Sequence, residues 1–144
     1  MFKKIALAHD GSDNAERALA YATDLAAEQK ASLLVIHVEE GMIGRGGDEL
    51  RDERERRQAE ISRTPEELAE RGVDAEVRLD NVVLGGPAPS IVRIAEEEGA
   101  DLIVVGSRGL SAVSGVILGS VAQRLIHLSK QPVLVVPPDA GRPA

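Results

Sequence analysis

The sequence predicts an α/β fold: a doubly wound, Rossmann-like parallel sheet of five strands with helices on both faces. Three observations carry this. Short aliphatic runs alternate with segments of helical periodicity. Apolar residues make up 43% of the chain but aromatics only 1%, so Val, Ile, Leu and Ala build the core, as in strands buried on both faces. The 144 residues carry no internal repeat and fit one domain, placed at residues 1–138, with a Pro-, Gly- and Ala-rich stretch from Pro137 onward. Residues 139–144 of that stretch are expected to be a disordered tail.

In chain order, the first strand is read at residues 4–9. Ala15, Ala18, Leu19, Ala22, Leu25 and Ala26 then form a helical stripe before a second strand at 32–38. The third strand is read at 75–80. Ile91, Ile94 and Ala95 mark the next helix, with Gly99 as its stop, before a fourth strand at 101–105. Val121, Ala122, Leu125, Ile126 and Leu128 mark the last helix, which Pro132 terminates ahead of the fifth strand at 132–136.

The stretch 41–72 breaks the pattern. It opens on Gly41, Gly44, Gly46 and Gly47 and continues through a charged run, 48–57, with Glu53 and Arg57 at helical neighbour spacing. Apolar residues there are sparse, chiefly Leu50, Ile61 and Leu68. A solvated helix and a mobile surface excursion are expected. Thr64-Pro65-Glu66-Glu67 reads as a capping box with proline at the first helical position, so the helix should break and restart near Thr64.

Composition narrows the function classes. With no cysteine, disulfides, thiolate metal sites and cysteine nucleophiles are excluded. A net charge of −7 argues against non-specific nucleic-acid binding and against attraction to anionic membranes. No apolar run reaches the roughly 18 residues of a membrane span, and the start leads directly into a strand. A soluble, cytoplasmic protein is expected. An acidic chain can still bind phosphate, provided that backbone N–H groups and one or two cations are aimed locally.

Ligands of open α/β sheets bind beyond the C-terminal ends of the strands, where strand order reverses. Two segments meet that description. His9-Asp10-Gly11-Ser12 leaves the first strand, and Val105-Gly106-Ser107-Arg108-Gly109 leaves the fourth, followed by Gly119-Ser120-Val121 at a helix start. Gly106 and Gly109 permit a tight turn and a close ligand approach. Gly119 and Ser120 present unpaired N–H groups at the positive end of a helix, a phosphate site. Arg108 adds a charge-assisted contact at the β- or γ-phosphate. There is no P-loop, no dinucleotide fingerprint after the first strand and no nucleophile elbow. Asp10 can ligate Mg²⁺, contact a ribose or cap the first helix. His9 and His37 end adjacent strands but lack a third metal ligand. His127 is expected at the surface or an interface, and Asp13 in solvent at the helix start.

The spacing Gly106-x2-Gly109-x9-Gly119-Ser120 resembles the signature of ATP-binding universal stress proteins. Asp10-Gly11-Ser12, Ala18-Leu19, His37-Val38 and the fourth and fifth strands resemble that family too. The resemblance covers nearly the whole chain and implies strand order 3-2-1-4-5. It implies that Ala8, His9, Asp10 and Val38 surround the base and ribose, and that Val105 and Gly106 lie beneath the nucleotide. Arg108, Gly109, Gly119, Ser120 and Val121 would take the phosphates of ATP, accompanied by Mg²⁺. The implied function is a regulatory nucleotide-binding module of the stress response. The alternative is a slow ATPase or nucleotidyl-transfer enzyme on the same site, although the motif offers no acid–base partner. The strand at 132–136, an aliphatic edge in that order, is expected to pair with its copy in a homodimer.

Overall fold

Five strands form one parallel sheet in the computed structural model, which describes residues 1–41, 47–110 and 118–139. Gly44, Gly46 and the tail beyond Asp139 lie outside the described residues. The elements are β1 (Lys4–Ala8), α1 (Asp13–Gln29), β2 (Ser32–Glu40), α2 (Asp48–Ser62), α3 (Thr64–Ala69), β3 (Ala75–Val82), α4 (Ala88–Glu97), β4 (Leu102–Gly106), α5 (Ser120–Leu128) and β5 (Val133–Val136). The order is β3-β2-β1-β4-β5, as the resemblance implied.

Alternation along the strands divides the core in two. Ile5 and Leu7 of β1, with Leu33 and Val35 of β2, face Ala18, Ala22 and Ala26 of α1. Ala6, Leu34, Ile36, Ile103 and Val105 face Ile91 and Ile94 of α4 and Leu125 of α5. Both faces of the central strands are therefore aliphatic, and each buried Leu or Ile contributes about 1.5–3 kcal/mol.

Helix ends follow local chemistry. Ser12 caps α1 by accepting the Ala15 N–H at 3.2 Å. Lys30, at φ 56°, occupies the left-handed position after α1 that glycine usually takes. Gly99, at φ 74°, stops α4 as its sequence position predicts.

The structure departs from expectation in several places. β2 and β3 run on to Glu40 and Val82, because their polar ends stay paired through Glu39↔Asn81 and Glu40↔Val82. α2 does end at Ser62, but no capping box forms at Thr64. That residue is the first of α3 and is buried with Leu68, so its side chain packs inward instead of turning back to cap. Ile126 and Leu128 are exposed, since α5 faces the sheet with Ala122 and Leu125, helped by Val121. The first residues of the Pro-rich stretch are tied down. Arg17 donates to the Pro137 carbonyl at 2.9 Å and lies 3.9 Å from Asp139.

Candidate functional site

β1 pairs with β2 on one side and β4 on the other, and the chain leaves those three strand ends in different directions. The gap between the departing segments is a cavity of about 640 Å³. Ala8, His9, Asp10, Val38, Val105, Gly106, Arg108, Gly109, Gly119, Ser120 and Val121 all line it, so the structure gathers every site residue expected from the sequence. Ile36, Pro87, Ile91 and Ala122 add an apolar patch.

The glycine loop is fixed by two side chains reaching from the β1–α1 segment. Asn14, buried at the start of α1, accepts the Arg108 N–H at 2.8 Å and donates to the Val136 carbonyl at 3.1 Å. Asp10 accepts from Ser12 N and Leu110 N, each at 2.9 Å. Asp10 is thus a brace between two loops, and the helix cap falls to Ser12.

These braces explain the glycines. None of Gly106, Gly109 and Gly119 has a positive φ, so none is needed for a left-handed turn. A Cβ at Gly106 would lie 2.9 Å from the Asn14 carboxamide, and one at Gly109 would lie 2.5 Å from Asp10 Oδ2. At Gly119 it would meet the Ser107 carbonyl at 3.0 Å. The signature therefore first allows the loop to close on its own supports. Sequence reasoning missed Asn14, although it shares i, i+4 spacing with Ala18, Ala22 and Ala26, a polar residue leading an apolar stripe.

At the far wall, α5 begins without a side-chain cap. The Gly119 N–H is already committed to the Ser107 carbonyl at 2.6 Å. The amides left without an i−4 partner are those of Ser120, Val121 and Ala122. Beside them, Ser107 Oγ and Arg108 Nε are buried with no hydrogen-bond partner among the described residues. Buried polar atoms are nearly always satisfied, so two adjacent orphans on the cavity wall mark a place where a polar ligand would complete the network.

The histidines serve structure. His9 accepts the Gly11 N–H at Nδ1 and faces Glu16 Oε1 from Nε2, both at 3.0 Å, so its ring is neutral with the proton on Nε2. That hydrogen bond holds the Glu16 carboxyl below its ordinary value. His37 places Nδ1 at 2.6 Å from the His9 carbonyl and Nε2 at 2.8 Å from Glu39 Oε1. Nδ1 is the donor to the carbonyl, and one proton lies between Nε2 and the carboxylate. Among the described residues no group of three His, Cys, Asp or Glu side chains could hold a metal ion. His127 and Asp13 are exposed.

The charged helix α2 is solvated as expected, but it also reaches the cavity. Leu50, Glu53, Arg54 and Arg57 all line the cavity. Arg57 pairs with Glu39 at 3.1 Å, and Arg54 donates to the Glu40 carbonyl at 3.1 Å. The expected Glu53–Arg57 partnership is not among the ion pairs of the described residues, because Arg57 turns inward to Glu39. Charge patterning alone cannot distinguish an arginine aimed at solvent from one aimed at a buried carboxylate.

Comparison with known proteins places these features in context. The model of the universal stress protein family matches residues 1–137. The chain is 39% identical to universal stress protein YxiE of Bacillus subtilis, covering 94% of this chain and 99% of that one. It is 41% identical to a universal stress protein of Thermus aquaticus, again over 94% and 99%. Among solved structures, MJ0577 superposes with a TM-score of 0.84 at 29% identity, covering 97% and 99%. A universal stress protein solved in complex with cAMP gives 0.67 at 32% identity, covering 94% and 97%. One from Archaeoglobus fulgidus in complex with dAMP gives 0.66 at 28%, covering 94% and 98%. With the family matched from Met1 to Pro137 and the sheet order in agreement, this chain belongs to the universal stress protein family.

Proposed function

We propose that this protein binds an adenine nucleotide, ATP with Mg²⁺, in the cavity at the ends of β1, β2 and β4, and that occupancy regulates a cytoplasmic stress response. The observation that carries this reading is the pair of orphan polar atoms, Ser107 Oγ and Arg108 Nε, beside the uncapped amides of α5. An anion there would gain several donors and the positive end of a helix. Relatives solved with cAMP and dAMP support an adenine ligand. The base would rest against Ala8, Val38 and Val105, with His9 and Asp10 toward the ribose and Gly106 beneath. Phosphates would lie between Arg108, Gly109, Gly119, Ser120 and Val121. Mg²⁺ would be carried by the phosphates, with Asp10 the carboxylate at the loop. Residues 1–138 would form the whole binding unit.

Calorimetry on nucleotide-stripped protein tests this. A micromolar dissociation constant, about −8 kcal/mol, is expected. A hundredfold excess of ligand should then add about 2.7 kcal/mol of stability. Gly119→Val should abolish binding by forcing the loop off the Ser107 carbonyl. Arg108→Ala should weaken ATP more than AMP. No heat and no shift in Tm at millimolar ATP would refute the reading. Each Asp10 oxygen already accepts one backbone N–H, which makes it a weak base, so phosphate release is expected to be negligible. Steady release that is lost in Arg108→Ala would favour the slow ATPase instead.

The same reading includes a homodimer through the strand at 132–136. β5 is an edge, and Leu134 on it is exposed. Val133 and Val135 pack against the intramolecular core, so Leu134 is the sharper probe. Sedimentation equilibrium should give twice 15.3 kDa for the wild type and a monomer for Leu134→Lys. A wild-type monomer would overturn the dimer.

A further inference from the structure

Helix α2 is attached to the body in an unusual way. Over its first three turns no described residue is buried: Leu50 is 51% exposed, and the neighbouring positions are charged. Ile61 in the last turn is its apolar anchor in the core. Ahead of that anchor two arginines reach the sheet. Arg57 lays its aliphatic stem over Gly11, where a Cβ would stand 2.5 Å from Arg57 Cδ, and its guanidinium meets Glu39 at 3.1 Å. Arg54 reaches the Glu40 carbonyl at 3.1 Å and lies 3.9 Å from Glu39. Arg57 therefore bridges the ends of β1 and β2 across the cavity.

Gly11 follows Asp10, the residue that braces the glycine loop through the Leu110 N–H. The Arg57 stem is thus packed on the same turn that positions the loop. Glu39 is one of four carboxylates, with Asp10, Glu40 and Glu53, on a cavity that Arg108 and the uncapped amides of α5 also line. Arg57 and Arg54 stand against the Glu39 carboxylate and offset it, and His37 Nε2 lies within hydrogen-bond distance of it. Arg57 keeps further donors beyond the one on Glu39, and its side chain is only 23% exposed.

We propose that Arg57, held over the cavity by Glu39 and seconded by Arg54, is a ligand-contacting residue that retains phosphorylated ligands beneath α2. This rests on the nucleotide reading of the same site and adds to it a second cationic arm, supplied by the charged helix from the side of Gly11 and Glu39. Such an arm gives affinity to phosphate charge, leaves the base unread and slows dissociation.

The test separates the arm's charge from its packing. Arg57→Met keeps an aliphatic stem over Gly11 and removes the guanidinium, while Arg57→Lys restores charge without the fork. Titrations with ATP, AMP and adenosine, and displacement kinetics with a fluorescent ATP analogue, are measured on the full chain. In Arg57→Met, ATP should bind about tenfold more weakly, as for loss of one charged hydrogen bond, with a matching rise in the dissociation rate. Adenosine should bind as in the wild type, and Arg57→Lys should recover part of the loss. If the wild type binds ATP and Arg57→Met binds it equally tightly, the proposal is overturned while the nucleotide reading stands. Equal weakening for adenosine would also overturn it, by making Arg57 a packing residue. A wild type that binds none of the three would overturn both.

Discussion

On the glycine-loop wall of the cavity, Asn14 and Asp10 grip backbone amides from positions fixed by β1 and α1, whose neighbours are fully buried aliphatics. On the α2 wall, the corresponding grip is a set of ion pairs made by Arg54 and Arg57 on a helix with little apolar anchorage. The difference lies in what each wall loses when it opens. Opening the loop exposes core and strands buried polar groups, so the loop is preorganised. Lifting α2 exchanges partly solvated ion pairs for water at small cost, so α2 belongs to the low-stability end of the molecule. A ligand would thus meet a rigid floor and a yielding roof.

The largest effect should come from removing the floor's central brace. Asn14→Leu leaves the part-buried Arg108 N–H without its partner and takes from the Val136 carbonyl one of its two donors, the other being the Ser107 N–H. Stability should fall by about 3 kcal/mol, read by urea denaturation, and 1 M salt should not rescue it. A loss within a few tenths of a kcal/mol would dissolve the contrast between the walls.

Next comes Gly109→Ala, whose new methyl would collide with Asp10 Oδ2. About 1–2 kcal/mol should be lost through the displaced brace. Because the backbone there is unstrained, the cost should vanish once the carboxylate is gone. A double-mutant cycle with Asp10→Gly measures that coupling. Additive losses would mean that Gly109 is needed for another reason.

Glu39→Gln addresses the roof. Global stability should change by about 1 kcal/mol or less, since both arginines can turn to water. Amide exchange should nevertheless quicken along Arg51–Glu60, and raised salt should reproduce this in the wild type. Unchanged protection of α2 would show that it is held by something other than its arginines.

The smallest effect is on the acid limb. Hydrogen bonds from Ser90 and the Asn81 backbone, with Arg93 nearby, hold Asp80 below its ordinary value, and His9 does so for Glu16. Both carboxyls are depressed in the folded state. Their contribution is therefore complete above the ordinary carboxylate range and is lost as pH falls toward the lowered values. Both groups are partly solvated, so a few tenths of a kcal/mol is expected. Denaturation midpoints between pH 6 and 3 should fall less steeply in Glu16→Gln. An unchanged slope would remove Glu16 from the account.

The contrast between the walls also explains what could be read in advance. The five strands, their helices and the loop residues Gly106, Gly109 and Gly119 follow from aliphatic runs and glycine spacing, because burial and close approach restrict residue type strongly. Asn14 escaped notice because it is one polar residue whose partners lie far along the chain, as with Val136, and Ser107, though inside the glycine segment, because nothing in the spacing marks its hydroxyl as buried. Arg57 and Glu39 escaped because a charged helix has the same pattern whether it faces water or a buried carboxylate. Thr64 misled because the capping-box signature carries no information about which way the threonine is packed.

The central claim is that an adenine nucleotide occupies the space between these two walls. It is tested most directly by amide chemical-shift mapping of nucleotide-stripped protein with saturating ATP and Mg²⁺. The account predicts the largest shifts at Val38, Arg108, Gly109, Ser120 and Val121, with smaller ones along Arg54–Arg57, and little change at the β5 edge around Leu134. A saturated titration whose shifts cluster away from the cavity, or none at millimolar ATP, would contradict it.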